Sequence, residues 1–138
     1  MSKAIRIHAN GGPEVLTYED ADPGQPGSGQ ILVRHTAIGL NFIDVYHRSG
    51  LYPPPGGFPL VPGSEAAGVV LEVGQGVDWL NPGDRIAYAV TTGAYAQQRV
   101  IDASRVVKVP DGISDEQAAA MMLKGMTAEY LLRRTFKV

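Results

Sequence analysis

Two stretches decide the reading of this chain: AIGLNFIDVYHRSGLY, residues 37–52, and PGSEAAGVVLEVG, residues 62–74. Upstream of Asn41, residues 31–40 have the β-branched enrichment of a strand. Asn41 then opens a short helix, its side-chain oxygen expected to accept from the free amides of the first turn. Asp44 falls in that first turn, where negative charge is favoured, and Gly50 closes the helix. On composition alone this is an N-capped surface helix in which Phe42, Ile43 and Val45 supply core contacts and His47 lies on the surface. YPPPGGFP, residues 52–59, cannot continue helix or sheet and reads as an irregular loop. Residues 65–73 form a long strand of small and β-branched residues. Glu65 stands inside this apolar run, so its burial demands a partner, as a structural ion pair or as a functional carboxylate.

Working outward, Ile5 and Ile7 alternate with Arg6 and His8 in the period of a half-buried strand. GGP at 11–13 punctuates it, and Val15, Leu16 and Tyr18 resume an extended segment. NPGDR at 81–85 is a turn leading into IAYAV, and residues 93–101 and 106–109 complete the β series. Many short strands joined by Gly/Pro turns predict a barrel or sandwich. The character changes after Asp111. Ser114 and Gln117 make a capping-box signature, followed by strong helix formers at 118–123. Gly125 is read as an interruption. Residues 127–136 then read as a second helix with Leu131 and Leu132 buried and Arg133 and Arg134 outside.

The chain has 138 residues, 44% hydrophobic and 19% charged, the mix of one ordinary globular domain. A formal net charge of -2 supplies no basic field for nucleic acid. There are no cysteines, which removes disulfides, thiolate nucleophiles and Cys-based zinc sites and fits the cytoplasm. The N-terminus lacks an apolar signal core, and no apolar run approaches the roughly 20 residues of a membrane span. His8, His35 and His47 are dispersed. Asn41 and Ser64 are poor zinc ligands, so no metal site is expected. GQPGSG at 24–29 and GQG at 74–76 lack the strand-to-helix context of a dinucleotide fingerprint and read as turns.

Taken together, KAIRIHANGGPEVL, the two opening stretches, NPGDRIAY, GAYAQQRVI and MMLKGMTAEYLLRRT resemble the quinone oxidoreductase branch of the medium-chain dehydrogenase/reductase superfamily, the zeta-crystallin-like NADPH:quinone reductases. The resemblance covers essentially the whole chain. It implies a mainly β, GroES-like, partly open β-barrel with short helices. Residues 1–124 would be the catalytic domain and 125–138 a linker helix toward a Rossmann domain that this chain lacks. In metal-dependent alcohol dehydrogenases of the superfamily a Cys stands where this chain has Asn41 and a His where it has Ser64.

The resemblance further implies that Asn41, Phe42, Ile43, Asp44, Val45 and Tyr46, with Thr127 and Tyr130, border the nicotinamide of NADPH. Asn41, Tyr46 and Tyr52 would meet a quinone substrate, and Tyr46 would act as proton donor or positioning group. Without it, Thr127 and Tyr130 read as an N-terminal helix residue and a core aromatic. The expected parent is a zinc-independent quinone reductase. This chain would be its N-terminal part, inactive alone because no turn of the AAxGGVG type is present to hold the cofactor's phosphates. Met126, Leu131, Leu132 and Phe136 would leave an apolar face that favours a homodimer or other self-association. The competing expectation is a non-enzymatic GroES-like scaffold or assembly module, for instance a seven-membered ring.

Overall fold

The computed structural model describes residues 2–89 and 92–136. Val90, the last residue of IAYAV, and Lys137 and Val138 lie outside the described residues. The elements in chain order are β1 (Lys3–Arg6), β2 (Thr17–Asp20), β3 (Gln30–Gly39), α1 (Phe42–Ser49), β4 (Glu65–Val73), β5 (Arg85–Ala89), β6 (Gln98–Asp102), β7 (Val107–Lys108) and α2 (Asp115–Glu129). β1 and β2 pair antiparallel as a small sheet, and the other strands form a five-stranded antiparallel sheet ordered β6-β3-β4-β5-β7. Isolated bridges tie the β1 segment to the loops that lead into β6 and β4, through Ala4 with Ala96 and Ile7 with Leu60. The result is the expected mainly β, partly open arrangement of open sheets rather than a closed barrel.

β4 is central because both of its faces are covered, and its residues are small enough to allow this. One face, with Ala66 and Val70, joins Ile31, Val33, Ile86, Tyr88 and Ile101 in the main core. The other face presents Ala67, beside Ala87 of β5, to Ala118 and Ala119 of α2. Alanine against alanine lets the helix backbone lie close on the sheet. Arg85 fastens the start of α2: its guanidinium donates to Asp115 Oδ1 at 2.7 Å and to the Ile113 carbonyl at 2.5 Å. Hydrogen bonding from Thr36, then from Arg85, holds the Asp115 carboxyl below the usual range.

Four local expectations change. Pro13–Val15 forms a short 3-10 turn before β2, and regular pairing in the 93–101 stretch begins only at Gln98. Gly125 does not interrupt α2, which runs unbroken to Glu129 and continues as a π-helical turn over Tyr130–Thr135. A single helical glycine costs only about 1 kcal/mol, and the capping box at Ser114 and Gln117 secures the helix start. Leu131 and Leu132 are not buried but 47% and 54% exposed, since the helix end extends past the sheet.

β3, β5 and β6 share a polar contact across the core. His35 Nδ1 lies 2.6 Å from the Ala96 carbonyl and Nε2 2.7 Å from the Tyr88 hydroxyl. Nδ1 must therefore carry the proton, with Tyr88 donating to Nε2. Arg99 stacks on the Tyr88 ring at 5.3 Å. Burial pushes the Tyr88 phenol up, against the nearby Arg99 charge. Burial, opposed by the Ala96 hydrogen bond and aided by Arg99, lowers His35 from 6.5 to about 4. The unfolded chain binds a proton here that the folded chain refuses, so stability is complete above pH 6.5 and declines as pH falls toward 4. This group alone should account for a decline of about 3 kcal/mol. Urea denaturation of His35→Gln should show a shallower loss over that window than the parent chain; identical slopes would contradict the assignment.

Candidate functional site

α1 is turned inside out relative to its composition. Its buried residues are Asp44 and His47, whereas Phe42 is 78% exposed and Val45 is at the surface. His47 is thus not a surface residue, and Phe42 and Val45 do not supply core contacts. The reason is the surface α1 packs on, the polar start of β4. Ser64 Oγ donates to Asp44 Oδ1 at 2.7 Å. Tyr95 OH donates to Oδ2 at 3.0 Å, as does the Asn41 amide. Burial and the facing Asp44 carboxylate together push the Tyr95 phenol up. His47 Nδ1 is buried with no hydrogen-bond partner among the described residues.

Asn41 has the extended backbone of an N-cap, and Asp44 caps its amide. Its side chain has other work. Asn41 Nδ2 donates to Glu65 Oε1 at 2.9 Å, and Oδ1 accepts from Lys124 Nζ at 2.8 Å. Glu65 is fully buried and well partnered: the amide of Leu123, inside α2, donates to Oε2 at 2.7 Å, and Lys124 Nζ lies 2.9 Å from Oε1. These bonds name the partner that the sequence demanded for Glu65. They also join three elements, α1, β4 and α2, at one point. Gly39, paired with Glu65 in the sheet, makes room for it: a Cβ there would run into the Ala119 carbonyl and the Glu65 side chain.

Beside this cluster a cleft of about 780 Å³ has walls that include Ile43, His47, Ser64, Leu123, Met126, Thr127 and Tyr130. Of the residues singled out from sequence, Ile43, Thr127 and Tyr130 are therefore brought to one cleft. Asn41 and Asp44 lie in the buried network. Tyr46 and Tyr52 form an edge-to-face pair with centroids 5.3 Å apart, and Phe42 stacks on Tyr46 at 6.4 Å. Thr127 Oγ1 donates to the Leu123 carbonyl at 2.7 Å and keeps its lone pairs for a ligand donor. Sequence reasoning missed Lys124, Tyr95 and the buried His47. For Lys124 a signal existed, since a carboxylate in an apolar strand requires a cation and MMLKGMT brings one on the helix that covers the sheet.

Residues 27–111, more than half of the chain, match the model of the alcohol dehydrogenase GroES-like domain. The chain belongs to this family. It is 53% identical over 139 residues to a quinone oxidoreductase of Pseudomonas aeruginosa, covering 100% of this chain and 42% of that protein. A 2-haloacrylate reductase of a Burkholderia species is 46% identical over 143 residues, covering 100% of this chain and 43% of its own. The crystal structure of Escherichia coli quinone oxidoreductase complexed with NADPH superposes with a TM-score of 0.94 at 48% identity, covering 99% of this chain and 42% of that one. The chain therefore spans less than half the length of these relatives. No helix among the described residues is long and apolar enough to cross a membrane.

The donor set at Asn41 and Ser64 does not fit zinc. Asn41 and Ser64 offer a neutral amide and a hydroxyl, both engaged within the network, and the Lys124 ammonium sits on the Asn41 oxygen. A divalent ion would have to displace that cation. Gly39→Ala should lower stability by about 1–3 kcal/mol through overpacking at Glu65. Gly125→Ala, whose Cβ meets Met121 Cε at an ordinary 3.6 Å, should be neutral or stabilising by up to about 1 kcal/mol. Equal denaturation midpoints for the two variants would show that the Gly39 contact constrains nothing.

Proposed function

We propose that this chain is the substrate-side domain of a zinc-independent, NADPH-dependent quinone oxidoreductase of the cytoplasm. The observation that carries the reading is the match, over the whole chain, to a relative described as a quinone oxidoreductase. The cleft adds chemical support. It joins an aliphatic wall from Ile43, Leu123 and Met126 to the polar edge of Thr127, Tyr130 and His47, suited to a flat ring carrying an amide or carbonyl.

When bound, NADPH supplies the hydride. The chain's contribution is distance and orientation. Ile43, Thr127 and Tyr130 would border the nicotinamide, with Asn41 and Asp44 holding that wall in place and Phe42 and Val45 shielding its outer side. Tyr46 and Tyr52, packed edge to face, would meet the quinone, and Tyr46 offers a hydroxyl to position it or to donate a proton. A quinone carbonyl is already electrophilic, so a Lewis acid is dispensable for this substrate. Stretch 125–138 would lead to a nucleotide-binding domain, and the exposed Met126, Leu131, Leu132 and Phe136 form the surface we assign to that domain, or to a second copy of the chain in its absence.

The test joins residues 1–138 to the downstream part of the Pseudomonas aeruginosa relative and follows NADPH oxidation with a quinone. Turnover by the chimera, together with neither turnover nor NADPH binding by the 138-residue chain alone, is the expected result. A folded chimera that leaves quinone unreduced, or micromolar NADPH affinity in the isolated chain, would sink the proposal.

A further inference from the structure

Lys124 lies in α2 between two residues that line the cleft, Leu123 and Met126, yet its ammonium turns to the buried polar cluster. Its side chain is 57% exposed, whereas that of Glu65 is fully buried. An ammonium has three N–H groups. One goes to Asn41 Oδ1 at 2.8 Å and one to Glu65 Oε1 at 2.9 Å. Glu65 Oε1 in turn accepts from Asn41 Nδ2 at 2.9 Å. The three groups close a ring in which Lys124 gives to both others and Glu65 receives from both.

That ring has a consequence for Asn41. A free amide side chain can turn over, exchanging its oxygen for its nitrogen at little cost. Here the carboxylate accepts only from Nδ2, and the ammonium donates only to Oδ1. The flipped amide would point its oxygen at a carboxylate and its N–H groups at a cation, two repulsive contacts in place of two charge-assisted hydrogen bonds. We infer that Lys124 is a positioning residue for the proposed reaction: with Glu65 it sets the orientation of the Asn41 amide and so the seating of the start of α1, which carries Ile43 into the cleft wall. Lys124 does this from α2 and Glu65 from β4, so the orientation of Asn41 also reports how well the helix is seated on the sheet.

The inference rests on the proposed function for its kinetic part, and two experiments separate the two. In the 138-residue chain, the side-chain amide resonances of Asn41 should be sharp and well separated. They should collapse toward the free-amide position in Lys124→Met and be largely restored in Lys124→Arg. In the chimera, Lys124→Met should lower kcat by on the order of 10-fold, with KM changing less than about threefold, because orientation counts most in the transition state. Lys124→Arg should recover most of that loss. Should Lys124→Met fail to fold, Lys124→Gln, which keeps a donor and loses the charge, takes its place with the same expected loss of amide dispersion. Unchanged Asn41 signals in Lys124→Met or Lys124→Gln would overturn the inference, and so would a chimera in which only KM rises. An inactive parent chimera would count against the proposed function alone, leaving the Asn41 resonances to decide the role of Lys124.

Discussion

A carboxylate cannot be left bare in an apolar sheet, and the site of this protein is arranged around that fact. Glu65 opens β4 with no solvent exposure. Removing such a group from water costs several kcal/mol unless its oxygens are occupied. The occupants come from the two flanking elements: Asn41 before α1, and Leu123 and Lys124 on α2. Each of these must hold its place for Glu65 to be tolerated. The loop before α1 and the second half of α2 are thereby fixed to the sheet at the mouth of the cleft. Gly39 supplies the space, and alanines at 67, 87, 118 and 119 bring helix and sheet close enough for the Leu123 amide to reach the carboxylate.

A second buried carboxylate, Asp44, works on the same principle without a cation among its hydrogen-bond partners. Two hydroxyls and a backbone amide satisfy it, and its burial is what draws the polar face of α1 inward. The apolar residues Phe42 and Val45 are left outside as a consequence. The amide of Asn41, the hydroxyl of Ser64 and the ammonium of Lys124 are all engaged in hydrogen bonds to the two carboxylates or to one another, so this centre fixes the orientation of its groups.

Much of this was legible in the residues. The long strand 65–73, the capping box at Ser114 and Gln117 and the glycine cap of α1 each follow from local rules, and each stands as read. The family resemblance added the mainly β, GroES-like, partly open architecture, and the order of the strands came only from the structure. What could not be read was determined by tertiary contacts. The hydrophobic pattern of α1 pointed Phe42 inward, but the polar floor beneath the helix reversed it. Gly125 looked like a break, yet a helix already capped and packed passes through one glycine. Asn41 was legible as the N-cap of α1, but not as a residue whose side-chain amide is also held by a buried carboxylate and a lysine 83 residues away. The need for a partner at Glu65 was visible in the sequence; its identity required the fold.

The central claim is that Glu65 and Lys124 are coupled across the helix–sheet junction and hold the site together. A double-mutant cycle on Glu65→Gln and Lys124→Met, read by urea denaturation, measures this coupling directly. The account predicts an interaction energy above about 1 kcal/mol, beyond the range of exposed ion pairs. Additivity of the two substitutions to within about 0.3–0.5 kcal/mol would contradict it.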